Sequence, residues 1–252
     1  HVAKGEKMYS SRFMGNKAYL VTYKTVDPLF VIDLSNETKP TVLGELHIPG
    51  YSTYLHPYDE NHLIGIGMET EEIVNKNSIG KVTSTTSKIT GIKMALFDVS
   101  DVNNPTQLSQ TIIGDSRTTS AILTNPKALL FSKEKQLLAI PVNNYSEDFE
   151  IDSSIDSYSS IVDSYTNYNK SYVSEGYFVY KINIDDGFNL KGVITHETSQ
   201  KNKNKSSYSY NYNNSKLLRG LYIDNNLYTI SETAIKVNNL DTLELIDELK
   251  IK

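Results

Sequence analysis

The sequence predicts an all-β protein, and two observations carry that prediction. Runs of β-branched, aromatic and leucine residues alternate with polar turns along all 252 residues, which is the pattern of short strands joined by hairpins. One segment also occurs twice in similar form, as DLSNETKPTVLGELHIPG at residues 33–50 and as DVSDVNNPTQLSQTIIG at residues 98–114. A phrase that recurs at the same place in successive units indicates a repeat architecture.

Each repeating unit contains two predicted hairpins, and therefore four strands. The first hairpins span residues 9–23, 51–68, 127–142 and 218–231, and the second hairpins span residues 29–48, 94–113, 177–196 and 234–251. Units of about 37 to 43 residues without insertions have the length of a propeller blade. The sequence therefore predicts a β-propeller of four-stranded antiparallel blades over residues 1–252, as a single domain or a fragment of a larger propeller, with blades at approximately 8–50, 51–114, 115–197 and 216–252.

The second strands and the repeated turn favour blades over a β-sandwich. AYLVTY (18–23) and LLAIPV (137–142) are apolar at consecutive positions, as expected of strands that are covered on both faces. Asp33 and Asp98 begin the tight turn between the third and fourth strands, where short polar side chains satisfy turn amides and Pro fixes the exit. A sandwich has turns at similar spacing, but it has no reason to repeat one phrase in each unit.

The phrases FMG…YLVT…VDPLFVIDLS (13–35) and YLHP…LIGIG (54–67) resemble the secreted bacterial and archaeal β-propeller domain family, which is distantly related to the WD-repeat propellers. The resemblance covers nearly the whole chain apart from its insertions. It implies a protein that is secreted or held at the cell surface, with further blades upstream. One departure is Asn125-Pro126, where the family favours Asp-His, and this places any polar role at that point of the third blade in doubt.

The composition and the chain ends limit which partners and which chain organisation we expect. The net charge of −5 comes without a basic stripe, so no nucleic-acid partner is expected. Cysteine is absent, and no apolar run reaches the roughly 20 residues of a membrane span, so we expect no transmembrane segment. The chain begins without Met, and we expect it to be part of a longer protein. Because the last repeat supplies its own fourth strand, the ring closes with four blades, is completed by missing upstream blades, or is completed by a second copy in a homodimer.

Side chains on the first strands are the first candidates for ligand binding, because first strands line the central channel of a propeller. Matching Tyr19 with Tyr228 places Arg219 level with Ser10, two residues from Arg12 and on the same face of its strand. Two arginines at the channel mouth favour an anionic or carboxylate ligand. The predicted channel-mouth residues are Arg12, Tyr54, His56 and Arg219. Alternatively, each arginine pairs with a nearby carboxylate such as Asp27 or Asp224 and holds blades together.

Insertions supply the second set of candidates. They lie at residues 69–91, 144–175 and 198–216, and ten of the 18 tyrosines fall between Asn144 and Lys216. Tyrosine on polar loops provides a large contact area at low entropic cost, so we predict contacts from Tyr158, Tyr165, Tyr168, Tyr208, Tyr210 and Tyr212. The alternative is a low-complexity loop without a binding role.

Candidate chemistry is limited to HPYDENH, residues 56–62, which contains His56, His62 and two carboxylates. A metal site needs three or four converging ligands, so we predict no metal, cofactor or catalytic residue. His47 and His196 end fourth strands at comparable places, which indicates edge-strand positions.

The function we predict is a non-enzymatic scaffold that binds an extracellular protein or glycan. The alternatives are a hydrolase or lyase acting on an extracellular polymer, with His56, His62 and the acidic run of residues 147–156 at its site, and a structural module of the cell envelope.

Overall fold

The protein folds into four antiparallel β-sheets in a computed structural model that describes residues 3–23, 27–146, 172–196 and 216–251. Each sheet has four strands, and each strand is hydrogen-bonded to its neighbour in chain order. No helix of the described residues is long and apolar enough to cross a membrane. The predicted all-β fold with four-stranded antiparallel blades is confirmed.

The strands follow one another along the chain with short turns. The first blade contains β1 (Lys7–Met14), β2 (Lys17–Tyr23), β3 (Asp27–Asp33) and β4 (Thr41–Ile48). The second contains β5 (Tyr51–Pro57), β6 (His62–Lys76), β7 (Val82–Asp98) and β8 (Thr106–Ile113). The third contains β9 (Leu130–Ser132), β10 (Leu137–Ser146), β11 (Tyr172–Asn183) and β12 (Gly187–Ile194). The fourth contains β13 (Leu217–Ile223), β14 (Asn226–Ser231), β15 (Ala234–Asn239) and β16 (Leu245–Lys250).

The chain forms two compact units. The first comprises His1–Pro126 and Ile182–Asn189, and the second comprises Lys127–Lys181 and Leu190–Lys252. The first unit therefore contains the first two blades, and the second contains the fourth blade with most of the third.

A shared apolar core joins the two blades of the first unit. Tyr19, Val21 and Val31 of the first blade pack with Leu63 and Phe97 of the second, and all five are almost completely buried. Because these side chains alternate along their strands, one face of each sheet meets the other. Burial of apolar surface at about 25 cal/mol per Å² makes this contact a principal stabilising term of the unit.

The second unit repeats the arrangement with different residues. Leu137, Tyr177 and Val179 of the third blade pack with Leu217 and Leu227 of the fourth. The Tyr177 hydroxyl donates a hydrogen bond to the carbonyl of Ala128 at 3.2 Å, so its only polar atom is satisfied inside the core. Both cores therefore place one blade face against the next.

Glycine in the outer strand lets the turn of the following blade approach. A Cβ at Gly44 of β4 would lie 2.6 Å from the carbonyl oxygen of Asn103, in the turn between β7 and β8. A Cβ at Gly192 of β12 would lie 2.8 Å from Leu243, in the turn between β15 and β16. A side chain at Gly44 would clash with backbone atoms of the next blade, whereas one at Gly192 would require the Leu243 side chain to move.

The repeated phrase forms the turn that the sequence predicted. Asp33 accepts a hydrogen bond from the amide of Ser35 at 2.9 Å, and Asp98 accepts one from the amide of Ser100 at 2.8 Å. Hydrogen bonding to the side chains of Ser35 and Ser100, and next these amide bonds, lower the pKa of the two aspartates. Asn239 accepts an equivalent amide bond from Asp241 in the fourth blade, whereas Asn183 in the third blade accepts the amide of Asp186, three residues on. The same Asx turn is thus common to the first, second and fourth blades.

The structure corrects three details of the predicted strands. The insertion at residues 69–91 is a paired ribbon that extends β6 and β7, because their pairing continues from Met68–Ile92 to Lys76–Val82. The first strand of the third blade has only three residues, since two short 3-10 turns at Ala121–Leu123 and Pro126–Ala128 precede it. β14 is buried on alternate residues only, and its buried face carries Leu227, Thr229 and Ser231 rather than a continuous apolar run.

A buried ion pair lies where the first blade leads into the second. Lys93 is 1% exposed, and its ammonium nitrogen lies 3.5 Å from a carboxylate oxygen of Glu69. The same nitrogen donates a hydrogen bond to the carbonyl of Pro49. The other Glu69 oxygen accepts the amide of Thr70 at 3.0 Å. The pair therefore ties the second and third strands of the second blade to the segment between the two blades.

We predict that Lys93→Met lowers the free energy of unfolding by about 3 to 5 kcal/mol, because it leaves the Glu69 carboxylate buried without its cation. Adding Glu69→Gln should recover part of that loss by removing the isolated charge. Denaturant unfolding measures all three proteins. Lys88→Met is the matched control, since Lys88 lies exposed on the same strand. Equal stability of the Lys93 and Lys88 variants would show that the buried pair is not structural.

Candidate functional site

The four predicted channel-mouth residues occupy only two positions of the blade's first hairpin. Arg12 pairs with Tyr19 and His56 with Ile64, which are equivalent places in the first and second blades. Tyr54 pairs with Ile66, and Arg219 pairs with Ile230. Each of these first strands also carries a register shift at the same point, between Met8 and Ser10, between Ser52 and Tyr54, and between Leu217 and Arg219. Arg219 is therefore level with Ser10, as the sequence match predicted.

Arg12, Tyr54 and His56 come together in the first unit. The Tyr54 hydroxyl lies 3.0 Å from Nδ1 of His56, so the two side chains share a hydrogen bond. Burial, and next the nearby positive charge of Arg12, lower the pKa of His56 to about 4. The imidazole is thus neutral at pH 7, and the only formal charge within this group of three is the guanidinium.

The Arg12 side chain has unused hydrogen-bonding capacity. Its Nε atom is buried and has no hydrogen-bond partner in the part of the chain that the structure describes. Within the same residues, no ion pair involves Arg12. A buried donor without a partner is costly, so an acceptor group at this position would be favoured. The side chain of Asp27, the acidic partner considered from the sequence, lies outside the described residues.

Neighbouring first strands hold these side chains close to one another. The Ser10 hydroxyl on β1 donates a hydrogen bond to the carbonyl of Ser52 on β5 at 2.7 Å. Beside it, the rings of Tyr9, Tyr23 and Tyr51 pack with centroids 4.4 to 5.8 Å apart. We call Arg12, Tyr54 and His56 the arginine site. The hydrogen bond and the packed tyrosines between the two blades hold it in place.

Arg219 belongs to the second unit. It is exposed on β13, and its charge acts on the hydroxyl of Tyr177, whose pKa is raised chiefly by burial. No ion pair joins Arg219 to Asp224 within the described ranges. The structural pairing considered from the sequence is therefore not formed at Asp224.

The HPYDENH motif divides between two environments. His56 belongs to the arginine site, whereas Nδ1 of His62 lies 2.7 Å from a carboxylate oxygen of Asp59. Asp59 also accepts the amide of Asn61 at 2.9 Å, as an Asx turn does. Among the described residues, no three His, Asp or Glu side chains converge as metal ligands would. The acidic run at residues 147–156 lies outside those residues.

The predicted loop tyrosines also lie outside the described residues. These are Tyr158, Tyr165, Tyr168, Tyr208, Tyr210 and Tyr212. Their binding role stays a prediction.

His196 forms a polar cluster that the sequence did not indicate. His47 is exposed on β4 beside Glu45, which fits the predicted edge position. His196 instead is 5% exposed, and its two ring nitrogens lie 3.0 Å from the hydroxyl of Ser231 and 2.7 Å from that of Thr229. Burial, and next the charge of Lys236, lower its pKa to about 4. The alternating polar residues of β14, Thr229 and Ser231, are the sequence signal that would have located this cluster.

The fold and these sites define a class of protein. Four four-stranded antiparallel sheets, each built in chain order and packed on one another in pairs, are blades of a β-propeller. The chain belongs to the Beta propeller domain family, whose model matches residues 1–243. The resemblance to a propeller family is thereby confirmed.

Two archaeal proteins are similar in sequence. An uncharacterized protein of Methanocaldococcus jannaschii is 41% identical over 149 residues, which are 59% of this chain and 21% of that protein. An uncharacterized protein of Archaeoglobus fulgidus is 27% identical over 248 residues, which are 98% of this chain and 28% of that protein. The chain therefore spans less than a third of the length of these relatives.

Solved structures show a distant likeness. Cobalt-substituted apocarotenoid oxygenase of Synechocystis is 11% identical, with 100% of this chain and 51% of that chain covered, at a TM-score of 0.39. The N-terminal domain of Nup159 is 11% identical, with 96% and 62% covered, at a TM-score of 0.25. Scores of this size carry no argument about function.

We predict that His196 makes stability depend on pH. Its folded pKa lies below the ordinary value of 6.5, so its contribution is complete above pH 6.5 and is lost as the pH falls toward 4. His196→Gln should reduce the loss of unfolding free energy between pH 7 and pH 4.5 by about 1 to 3 kcal/mol. Comparing each protein with itself at the two pH values removes the effect of altered packing. His47→Gln, at an exposed position, should leave the difference unchanged, and a similar change in both variants would contradict the assignment.

Proposed function

We propose that this chain is a non-enzymatic binding module, and that its arginine site receives an anionic group of an extracellular protein or glycan. The single observation that carries the proposal is the buried Nε of Arg12, which has no hydrogen-bond partner among the described residues. An arginine with an unpartnered Nε is suited to a planar anion, because a guanidinium can donate two parallel hydrogen bonds to a carboxylate.

The neighbouring side chains support an anion at this position. His56 is neutral at pH 7, so it does not compensate the positive charge of the Arg12 guanidinium as a neighbouring carboxylate would. Tyr54 supplies an aromatic ring with a hydroxyl that already contacts His56, and such a ring offers both an apolar face and a polar edge. An acidic sugar presents the same combination, since it carries a carboxylate on an otherwise apolar-faced ring.

The choice of a binding role over hydrolysis follows from the groups that are brought together. Hydrolysis of a glycosidic bond uses two carboxyl groups about 5 to 10 Å apart, whereas the arginine site consists of a cation, a neutral imidazole and a phenol. His62, which the enzymatic alternative requires, is engaged by Asp59. The placement outside the cell rests on the resemblance carried by residues 13–35 and 54–67.

We predict that Arg12→Gln weakens binding of a trigalacturonate probe by about tenfold to a hundredfold, because one charge-assisted hydrogen-bonded contact is worth roughly 1.5 to 3 kcal/mol. Isothermal titration calorimetry at low salt measures the affinity. A short polyglutamate peptide, tested in the same way, decides between a glycan and a protein as the source of the carboxylate.

Arg117→Gln is the matched control for this experiment. Arg117 is a partly exposed arginine of the first unit that is already paired with Asp115. Its replacement should leave the affinity within experimental error. Binding that survives Arg12→Gln, or that is lost equally in both variants, would falsify the arginine site as the anion-binding position.

We also predict that the affinity for trigalacturonate rises severalfold between pH 7 and pH 5. An anion beside His56 stabilises its protonated form, so binding raises a pKa that is about 4 in the free protein and takes up protons. His56→Gln should remove this dependence while binding at pH 7 is retained. An affinity of the unmodified chain that stays constant or decreases when the pH is lowered from 7 to 5 would contradict the proposal.

A further inference from the structure

One acceptor sequence for N-linked oligosaccharides lies on an exposed turn. The tripeptide Asn-x-Ser/Thr, with any residue but Pro at its centre, occurs in this chain at Asn36, Asn144, Asn169, Asn204 and Asn213. This tripeptide is the site of oligosaccharide attachment in secreted proteins. Asn36 and Asn144 are the two that lie within the described residues, and their surroundings differ completely.

Asn36 lies in the turn between β3 and β4, where residues 35–40 are all exposed. Its side-chain oxygen accepts hydrogen bonds from the backbone nitrogen of Thr38 at 3.1 Å and from the Thr38 hydroxyl at 2.9 Å. Both side chains of the acceptor sequence are therefore held together at the surface. The side-chain nitrogen of Asn36, which is the atom that would carry the sugar, donates to no residue in the described part of the chain.

Asn144 shows why the tripeptide alone is insufficient. It is 1% exposed and lies on β10, paired with Ser174 of β11. A glycosyl-transferring enzyme cannot reach a side chain in the middle of a folded sheet without opening it.

The corresponding turn of the second blade provides a natural comparison. It carries Asn104-Pro105-Thr106, in which Pro occupies the central position. The side-chain nitrogen of Asn104 also donates a hydrogen bond to Asp101 at 2.9 Å. The residue at the position of Asn36 is Asp101, which accepts the amide of Asn103 as Asn36 accepts that of Thr38, so this turn offers an available acceptor in the first blade and none in the second.

We propose that Asn36 is an N-glycosylation site of this protein. The donor is an oligosaccharide linked to a polyprenyl phosphate. The side-chain nitrogen of Asn36 forms a bond to the anomeric carbon of the sugar and loses one proton, while the bond from that carbon to the phosphate oxygen of the lipid breaks and the lipid phosphate leaves. The inference rests on the extracellular placement in the proposed function, because attachment takes place outside the cytoplasm.

Peptide mapping of the protein isolated from the cells that produce it decides the question. Trypsin does not cleave efficiently before Pro40, so the tryptic peptide that contains Asn36 spans residues 25–76, and it contains no other acceptor sequence. We expect this peptide to carry an added oligosaccharide mass, and we expect Asn144 to be unmodified. An unmodified Asn36 in the secreted protein would overturn the proposal.

Variants separate recognition of the acceptor from other causes. Incubation of the folded chain with a purified oligosaccharyltransferase and its lipid-linked donor should modify Asn36. Thr38→Ala should reduce the modified fraction at least tenfold, whereas Thr38→Ser should retain it. Thr38 lies on an exposed turn, so both variants are expected to fold, which thermal unfolding checks. If Asn36 is glycosylated to the same extent in the Thr38→Ala variant as in the parent sequence, the proposal is also overturned.

The same samples distinguish this inference from the proposed function. Glycosylation at Asn36 together with no binding of trigalacturonate would reject the arginine site and retain the glycosylation site. Binding of trigalacturonate without any glycan at Asn36 would do the opposite.

Discussion

Packing of one blade face against the next is the interaction on which the rest of this structure depends. In the first unit, Tyr19 and Val31 of one sheet meet Leu63 and Phe97 of the other, and this contact buries strands that are apolar on both sides. The same contact sets β1 beside β5, where the Ser10 hydroxyl reaches the carbonyl of Ser52. The arginine site exists because of this neighbourhood, since its members come from two different sheets.

Repetition of backbone geometry allows each blade to carry different chemistry at the same place. The first hairpins of the first, second and fourth blades share a register and a bulge, so one position bears Arg12 in the first blade and His56 in the second. The neighbouring position bears Tyr54 in the second blade and Arg219 in the fourth. A fixed scaffold with variable side chains at two register positions is how a repeat protein changes its ligand without changing its fold.

Two buried ionisable side chains within the blades are held by polar partners. Lys93 lies inside the first unit with the carboxylate of Glu69 and the carbonyl of Pro49, and His196 lies inside the second with two hydroxyls. Desolvation would otherwise make both groups strongly destabilising. Arg12 differs from both, because its buried Nε has no partner among the described residues. This contrast underlies our proposal that Arg12 binds a ligand, whereas Lys93 is structural.

The sequence by itself determined the number of strands in each blade, the order of the hairpins and the Asx turn of the repeated phrase, because hydrophobic periodicity and turn residues act over a few neighbouring positions. Alignment of the repeats also identified Arg12 and Arg219 as candidate ligand-binding residues. The tertiary structure decided that Arg12 lies beside His56, that the insertion after Met68 continues as a paired ribbon, and that His196 is buried. These outcomes depend on contacts between residues far apart in the chain, which no local pattern encodes.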